Sequence, residues 1–265
     1  MLALIGYIFT FVLGTIIGSF LNVVILRYHT GETLHGRSRC LSCRATLQPI
    51  DLIPIVSFIS TRGRCRYCGS KISYQYPVVE LLTGIIFALL WWRFSGSPIE
   101  FLLMAVAASL LVVITVYDIH HQIIPDELVF YFGVVGLLAP IFHALVTGSL
   151  ALLVIGFLHS LLTGGIFFLA FWGLWRLSGG RWIGLGDAKL SFGIGTLLGL
   201  AKGLTALLTG FWLGAIIGLL LLLASRFKLK KLDHYFTLKS ELPFAPFLVI
   251  GLLLVLIFNL NVIPL

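Results

Sequence analysis

Two aspartates and four cysteines are the side chains of this sequence best suited to chemistry. Asp118 closes the apolar run LLVVITVY, and Asp187 sits in the string GLGDAKL. Acids beside hydrocarbon-like sequence are expensive to ionise and mark functional sites by default. Two carboxylates brought together cannot both ionise, so they share a proton. One can then serve as general base on a bound water while the other protonates a carbonyl or a leaving amine. That is the arrangement of an aspartic protease. The cysteines form a second constellation: Cys40-x2-Cys43 and Cys65-x2-Cys68, with 21 residues between the pairs. Two such knuckles supply four thiolates to a tetrahedral Zn²⁺. Sulfur would fill every position, leaving no open coordination site, so the metal would be a clamp. Disulfides and a redox pair are the rivals. A reducing cytoplasmic location argues against the first, and doubling of the motif against the second.

The elements that must position these groups are membrane helices. Of the 265 residues, 59% are hydrophobic and 11% charged, and mean hydropathy is +1.09. Ten acids and 18 bases cannot coat a soluble globule of this size. The same apolar content excludes disorder. The reading is an all-α polytopic membrane protein. About 20 apolar residues cross a bilayer, and by that measure eight spans are expected, at about 2–26, 77–94, 99–117, 128–147, 150–175, 188–201, 204–224 and 243–260. Residues 1–26 lack a basic n-region and an A-x-A site, so they read as a retained first span rather than a signal peptide. The expected organisation is a first helix (1–26), a cytoplasmic zinc-binding loop (27–76) and a seven-helix membrane domain (77–265).

Sixteen of the 18 bases fall in loop 27–76, at 176–189 or in loop 225–242, leaving only Arg93 and Lys202 for the other side. The positive-inside rule then puts these loops, and by parity loop 118–127, in the cytoplasm, with both termini outside. The net charge of +8 follows from this topology and is no sign of nucleic acid. Parity also puts Asp118 and Asp187 at one depth on separate helices. Glycines 184 and 186 are expected to let the backbone unwind beside Asp187 and admit a substrate strand.

The remaining acids read as ordinary. Glu32, Asp51, Asp233 and Glu241 fall in cytoplasmic loops, Glu100 at an outer helix end, and Asp126 and Glu127 as caps of the fourth span. Glu80, one turn into the second span, stands between packing partner and site lining. Residues 50–59 are apolar but too short to cross, so they lie on the bilayer surface or pack on the helices. His29 and His35 read as solvated. The glycine pairs 14/18, 195/199, 210/214 and 214/218 read as close helix packing.

The stretches GSFLNVVILR (18–27), the double CxxC loop, YPVVELLTG (76–84), DIHHQIIPDEL (118–128), GLGDAKL (184–190) and PFAPFLVIGLLL (243–254) together resemble the bacterial type 4 prepilin peptidases. These are GxGD-type intramembrane aspartic peptidases of type IV pilus and type II secretion systems. The presenilin-like peptidases share the Tyr117–Asp118 and Gly184–Asp187 pairing but not the cysteine loop. The resemblance implies that Asp118 and Asp187 are the catalytic pair. It implies substrates that are prepilins and pseudopilins, cut at the cytoplasmic face of the bacterial inner membrane after a Gly. It also implies N-methylation of the new terminus with S-adenosyl-L-methionine, in members that keep the cysteine loop. No fingerprint for the methyl donor is visible; Glu80 and Asn22 are polar residues in motif stretches and no more than candidates. One departure is Ala245, where Gly is common. A proton- or cation-coupled transporter is the alternative reading of paired intramembrane acids. Its usual midplane acids and inverted repeats are not seen.

Overall fold

The computed structural model describes residues 2–31, 33–226 and 242–262. Its elements are α1 (Leu2–Arg27), a 3-10 turn (Pro49–Leu52), α2 (Val56–Ser60), α3 (Gln75–Phe94), α4 (Pro98–His121), α5 (Asp126–Thr147), α6 (Leu150–Ser178), α7 (Leu185–Arg226) and α8 (Ala245–Phe258). Glu32, Asp233, Glu241 and the four lysines expected in the last basic loop (Lys228, Lys230, Lys231 and Lys239) lie outside the described residues. The all-α expectation holds. Helices α1, α3, α4, α5, α6 and α7 are each long and apolar enough to cross a membrane, and α8 is a shorter apolar helix.

These helices are greasy outside and small or polar inside. Along α1, Leu4, Ile8, Phe9 and Ile16 are exposed while Thr10, Thr15 and Asn22 are buried. In water that pattern would be self-defeating. In lipid it is what packing requires, because tails solvate the Leu and Ile faces and helices meet through small residues. The chain divides into two units, Met1–Val113 and Ile114–Leu265.

In the first unit α1 lies against α3. A β-carbon on Gly14 would sit 2.7 Å from the Thr83 carbonyl oxygen, and one on Gly18 would sit 2.8 Å from the Glu80 Cα. The two backbones therefore touch along the pair of glycines expected to pack closely. Farther along α3, Phe87 and Trp91 meet Phe101 of α4 edge-on, at 6.2 and 5.5 Å between ring centroids.

In the second unit, the 42 residues of α7 would run about 63 Å as one straight helix, twice the hydrocarbon thickness. They do not run straight. Gly199 has φ 74° and ψ −174°, a conformation essentially closed to other residues. Towards the break, the neighbours on α6 step back from Phe167 and Gly164, against Gly195, to His159, against Gly199. Beyond it they step forward again, from Phe167 against Gly203 to Phe171 against Phe211. The chain has reversed. Thus α7 is two helices folded back at Gly199, matching the two spans expected at 188–201 and 204–224 with the turn a few residues early. Gly199 is the hinge of that reversal as well as a packing residue. Helix α8 then runs antiparallel to the second half, with Leu248 beside Gly210 and Ala206 beside Gly251.

Candidate functional site

Asp118 lies near the C-terminal end of α4 and Asp187 in the first turn of α7; both are buried. Both lie in the second unit, and Asp187 feels the charge of Asp118 there. Each is held by a backbone amide. The Ala245 N–H donates to Asp118 Oδ2 at 3.1 Å, and the Gly184 N–H donates to Asp187 Oδ2 at 3.1 Å. The first amides of a helix have no partner within it, so the start of α8 has a donor to spare for Asp118. Among the described residues no Lys or Arg pairs with either carboxylate. Both carboxylates are thus held by neutral donors, and two acids without a counter-cation repel each other where they meet.

Gly186 has a different use from the one expected of it. Helix α7 begins at Leu185, so the backbone at 186 is already helical. What its missing side chain provides is room, since a β-carbon there would lie 2.8 Å from Ile124 Cβ. Asp126 also differs from expectation. It sits in the first turn of α5, but its side chain makes no capping bond; instead its Oδ1 accepts from Lys189 Nζ at 2.6 Å. The start of α5 is thereby tied to α7 two residues beyond Asp187.

The four cysteines form one cluster, their sulfurs all within 4.8 Å of one another. The Cys40 and Cys68 sulfurs are 3.9 Å apart. Four sulfurs about 2.3 Å from a tetrahedral Zn²⁺ would be about 3.8 Å from each other, so the cluster has the dimensions of a metal site. Two equivalent turns build it. The Arg44 N–H donates to the Cys40 carbonyl and the Gly69 N–H to the Cys65 carbonyl, both at 2.9 Å. Both of these fifth residues are left-handed, with φ 59° at Arg44 and 72° at Gly69. Backbone amides are thus aimed at sulfur. The Cys43 N–H leads in drawing the Cys40 thiol down to about 6. Against the Ala45 N–H, desolvation and the neighbouring Cys68 and Cys40 sulfurs push Cys43 up to about 11. Cys40 is eased towards the thiolate while its neighbour Cys43 is held back from it, a conflict that a divalent cation would relieve.

Residues 12–94 match the bacterial peptidase A24 N-terminal domain, and residues 105–219 match the type IV leader peptidase family. The chain is 33% identical to a prepilin leader peptidase/N-methyltransferase of Bacillus subtilis over 260 residues, which is 96% of this chain and 94% of that one. The chain belongs to the type IV leader peptidase family. A prepilin leader peptidase/N-methyltransferase of Myxococcus xanthus is 37% identical over 223 residues, covering 82% of this chain and 64% of that protein. One of Neisseria gonorrhoeae is 31% identical over 242 residues, with 81% and 80% covered. No solved structure matches. None of these relatives is named a transporter.

For a leader peptidase family member, the geometry adds partners that carry no sequence signature. The Ala245 and Gly184 amides are backbone groups, and a β-carbon change at either position leaves the donor in place. The Ala245 departure is therefore harmless to this contact. Glu80 and Asn22 both lie in the first unit, away from the paired aspartates in sequence, and both are buried. The Asn22 side chain donates to the Gly18 and Tyr76 carbonyls, each at 3.2 Å. It is a strap between α1 and α3. Glu80 accepts from the Ile55 N–H at 2.7 Å. His29 and His35 are not part of the sulfur cluster.

Proposed function

We propose that this chain is a membrane aspartic endopeptidase that removes the basic leader of prepilins and pseudopilins and then methylates the new N-terminus. The observation that carries the reading is the Asp118–Asp187 pair. It consists of two buried carboxylates, from the end of α4 and the start of α7, each fixed by one backbone amide. The relatives' names supply the substrate class and the second activity.

In the peptidase step one aspartate takes a proton from water, whose oxygen attacks the scissile carbonyl carbon. The other gives a proton to the carbonyl oxygen. Collapse of the tetrahedral intermediate breaks the C–N bond as the leaving nitrogen is protonated, yielding a leader carboxylate and a free amine. Preset amide donors keep the acids in place without neutralising them, so little reorganisation accompanies the step. Bound S-adenosyl-L-methionine would supply the methyl group for that amine. Cys40, Cys43, Cys65 and Cys68 would hold a structural Zn²⁺, and residues 27–76 would be the methyltransferase-associated loop. The protein would be multi-pass in the bacterial inner membrane. The aspartates would lie near the cytoplasmic face, where leaders are accessible, and both termini would lie outside.

Co-expression with a pilin precursor tests this. N-terminal mass analysis reads leader loss and an added methyl separately. Asp118→Asn and Asp187→Asn should each lower cleavage by about 10²–10⁴-fold while the protein accumulates at its normal level. Full cleavage by either variant would rule the pair out.

A further inference from the structure

Glu80 is buried in the α1–α3 pair, remote in sequence from the aspartates, and the peptidase chemistry does not use it. Its carboxylate accepts the Ile55 N–H at 2.7 Å and is also engaged by Ser19. Ile55 is an unusual partner. Its φ is 62° and its ψ −50°, and the Val56 N–H reaches back to the Pro54 carbonyl. That is a γ-turn of the positive-φ kind, rare and strained, and here its centre is β-branched. Such a turn persists only where its surroundings over-determine it. Ile55 is also the N-cap of α2, at the helix end whose amides need acceptors.

The segment bearing this turn is tied to the sulfur cluster at its other end. Asp51 lies four residues upstream. Its Oδ2 accepts from the Tyr67 hydroxyl at 2.9 Å and from the Gln48 N–H at 3.0 Å, and the Arg66 Nε lies 3.1 Å from its Oδ1. Arg66 and Tyr67 stand between Cys65 and Cys68. Residues 48–60 thus form a link, with one end on the second knuckle and the other on a carboxylate inside α3. The side chains of Ile50, Ile53, Val56 and Ile59 are exposed, so apart from Phe58, whose ring meets Tyr74 at 5.5 Å, the link is held to the protein mainly through its polar ends.

We propose that Glu80 is the latch that docks the cysteine loop onto the α1–α3 pair. It is therefore a positioning residue for methyl transfer and not for peptide cleavage. This inference rests on the methyltransferase reading above for its activity readout, and on geometry alone for the docking itself. A hydrogen bond to a charged acceptor shifts a local equilibrium roughly ten- to a hundredfold.

The test uses the full chain in detergent. Hydrogen exchange of 53–60, bound zinc, leader loss and methylation are measured on wild type, Glu80→Ala, Glu80→Gln, and Glu80→Ala with Ile55→Gly. In Glu80→Ala the segment should exchange roughly ten- to a hundredfold faster. Zinc should stay bound, cleavage should stay near wild type, and methylation should fall. Glu80→Gln, which keeps an acceptor oxygen, should recover part of both effects. Ile55→Gly removes the strain at positive φ and should restore protection and methylation in the Ala background. Equal exchange in wild type and Glu80→Ala overturns the latch. So does lost methylation with protection intact, which would make Glu80 a catalytic group. Wild-type protein that never methylates, yet shows the exchange difference, counts against the methyltransferase reading and supports the latch.

Discussion

Asp118 and Asp187 differ from the other interior acid, Glu80, in what surrounds them. Glu80 braces a strained turn, whereas each aspartate takes one backbone amide, and Asp187 also feels the charge of Asp118. Their residue type and their position at apolar edges were legible in the sequence. Their donors were not, because a backbone N–H has no letter of its own. That difference makes a prediction at Ala245: Ala245→Gly keeps the donor and removes only one buried methyl group, so it should cost stability about 1 kcal/mol and leave leader cleavage within about twofold of wild type. A kinetic assay on a pilin precursor measures it. The cysteines were equally legible, since type and spacing carry the whole signal, but the left-handed Arg44 that completes the first turn was hidden by an unremarkable residue. Cys40→Ser should lower bound zinc in the purified protein and impair methylation more than cleavage. Unchanged zinc by metal analysis would refute the clamp.

At the scale of elements, hydropathy located the apolar helices, of which six are long enough to cross a membrane and α8 is shorter, but it misjudged where α7 turns. A window average registers only that a break exists between two apolar stretches. The break itself depends on one backbone conformation, at Gly199, that glycine alone adopts readily. Gly199→Ala should therefore destabilise the protein by about 1–3 kcal/mol, read as a lower thermal midpoint in detergent. Gly195→Ala offers a comparison without positive φ, where the cost is the close approach to Gly164. The turn before Asp187 gives a functional counterpart. Gly186 makes room for Ile124, so Gly186→Val should push the start of α7 away from the 118–125 segment and lower cleavage steeply. Full cleavage by that variant would show that the contact is dispensable. The Lys189–Asp126 bridge works in the same place, yet as a partly exposed pair it contributes at most about 1 kcal/mol. It reads as a fine adjustment beside the Gly186 contact.

Across the whole molecule the informative quantity is how charge is distributed along the chain. Sixteen of 18 bases fall in alternate connections, and Lys or Arg held back from translocation is what orients a polytopic protein. With α7 counted as two helices, the apolar segments number eight among the described residues, and if each crosses, an even number returns both ends of the chain to one side. If loop 27–76 is cytoplasmic, the N-terminus lies outside, and an eighth crossing would bring the C-terminus outside as well. Counting α7 as a single crossing would reverse that last assignment, so sidedness is a direct test of the fold at Gly199. A protease-cleavable tag fused to the C-terminus should be digested in intact spheroplasts. The same tag inserted beside His35, in the first basic loop, should survive until the membrane is opened. A protected C-terminal tag with the loop tag also protected would mean an odd number of crossings. A third tag, in the 227–241 connection, then decides between α7 and the short α8: digestion of that tag in intact spheroplasts means that α7 passes through the membrane once and the reversal at Gly199 is wrong.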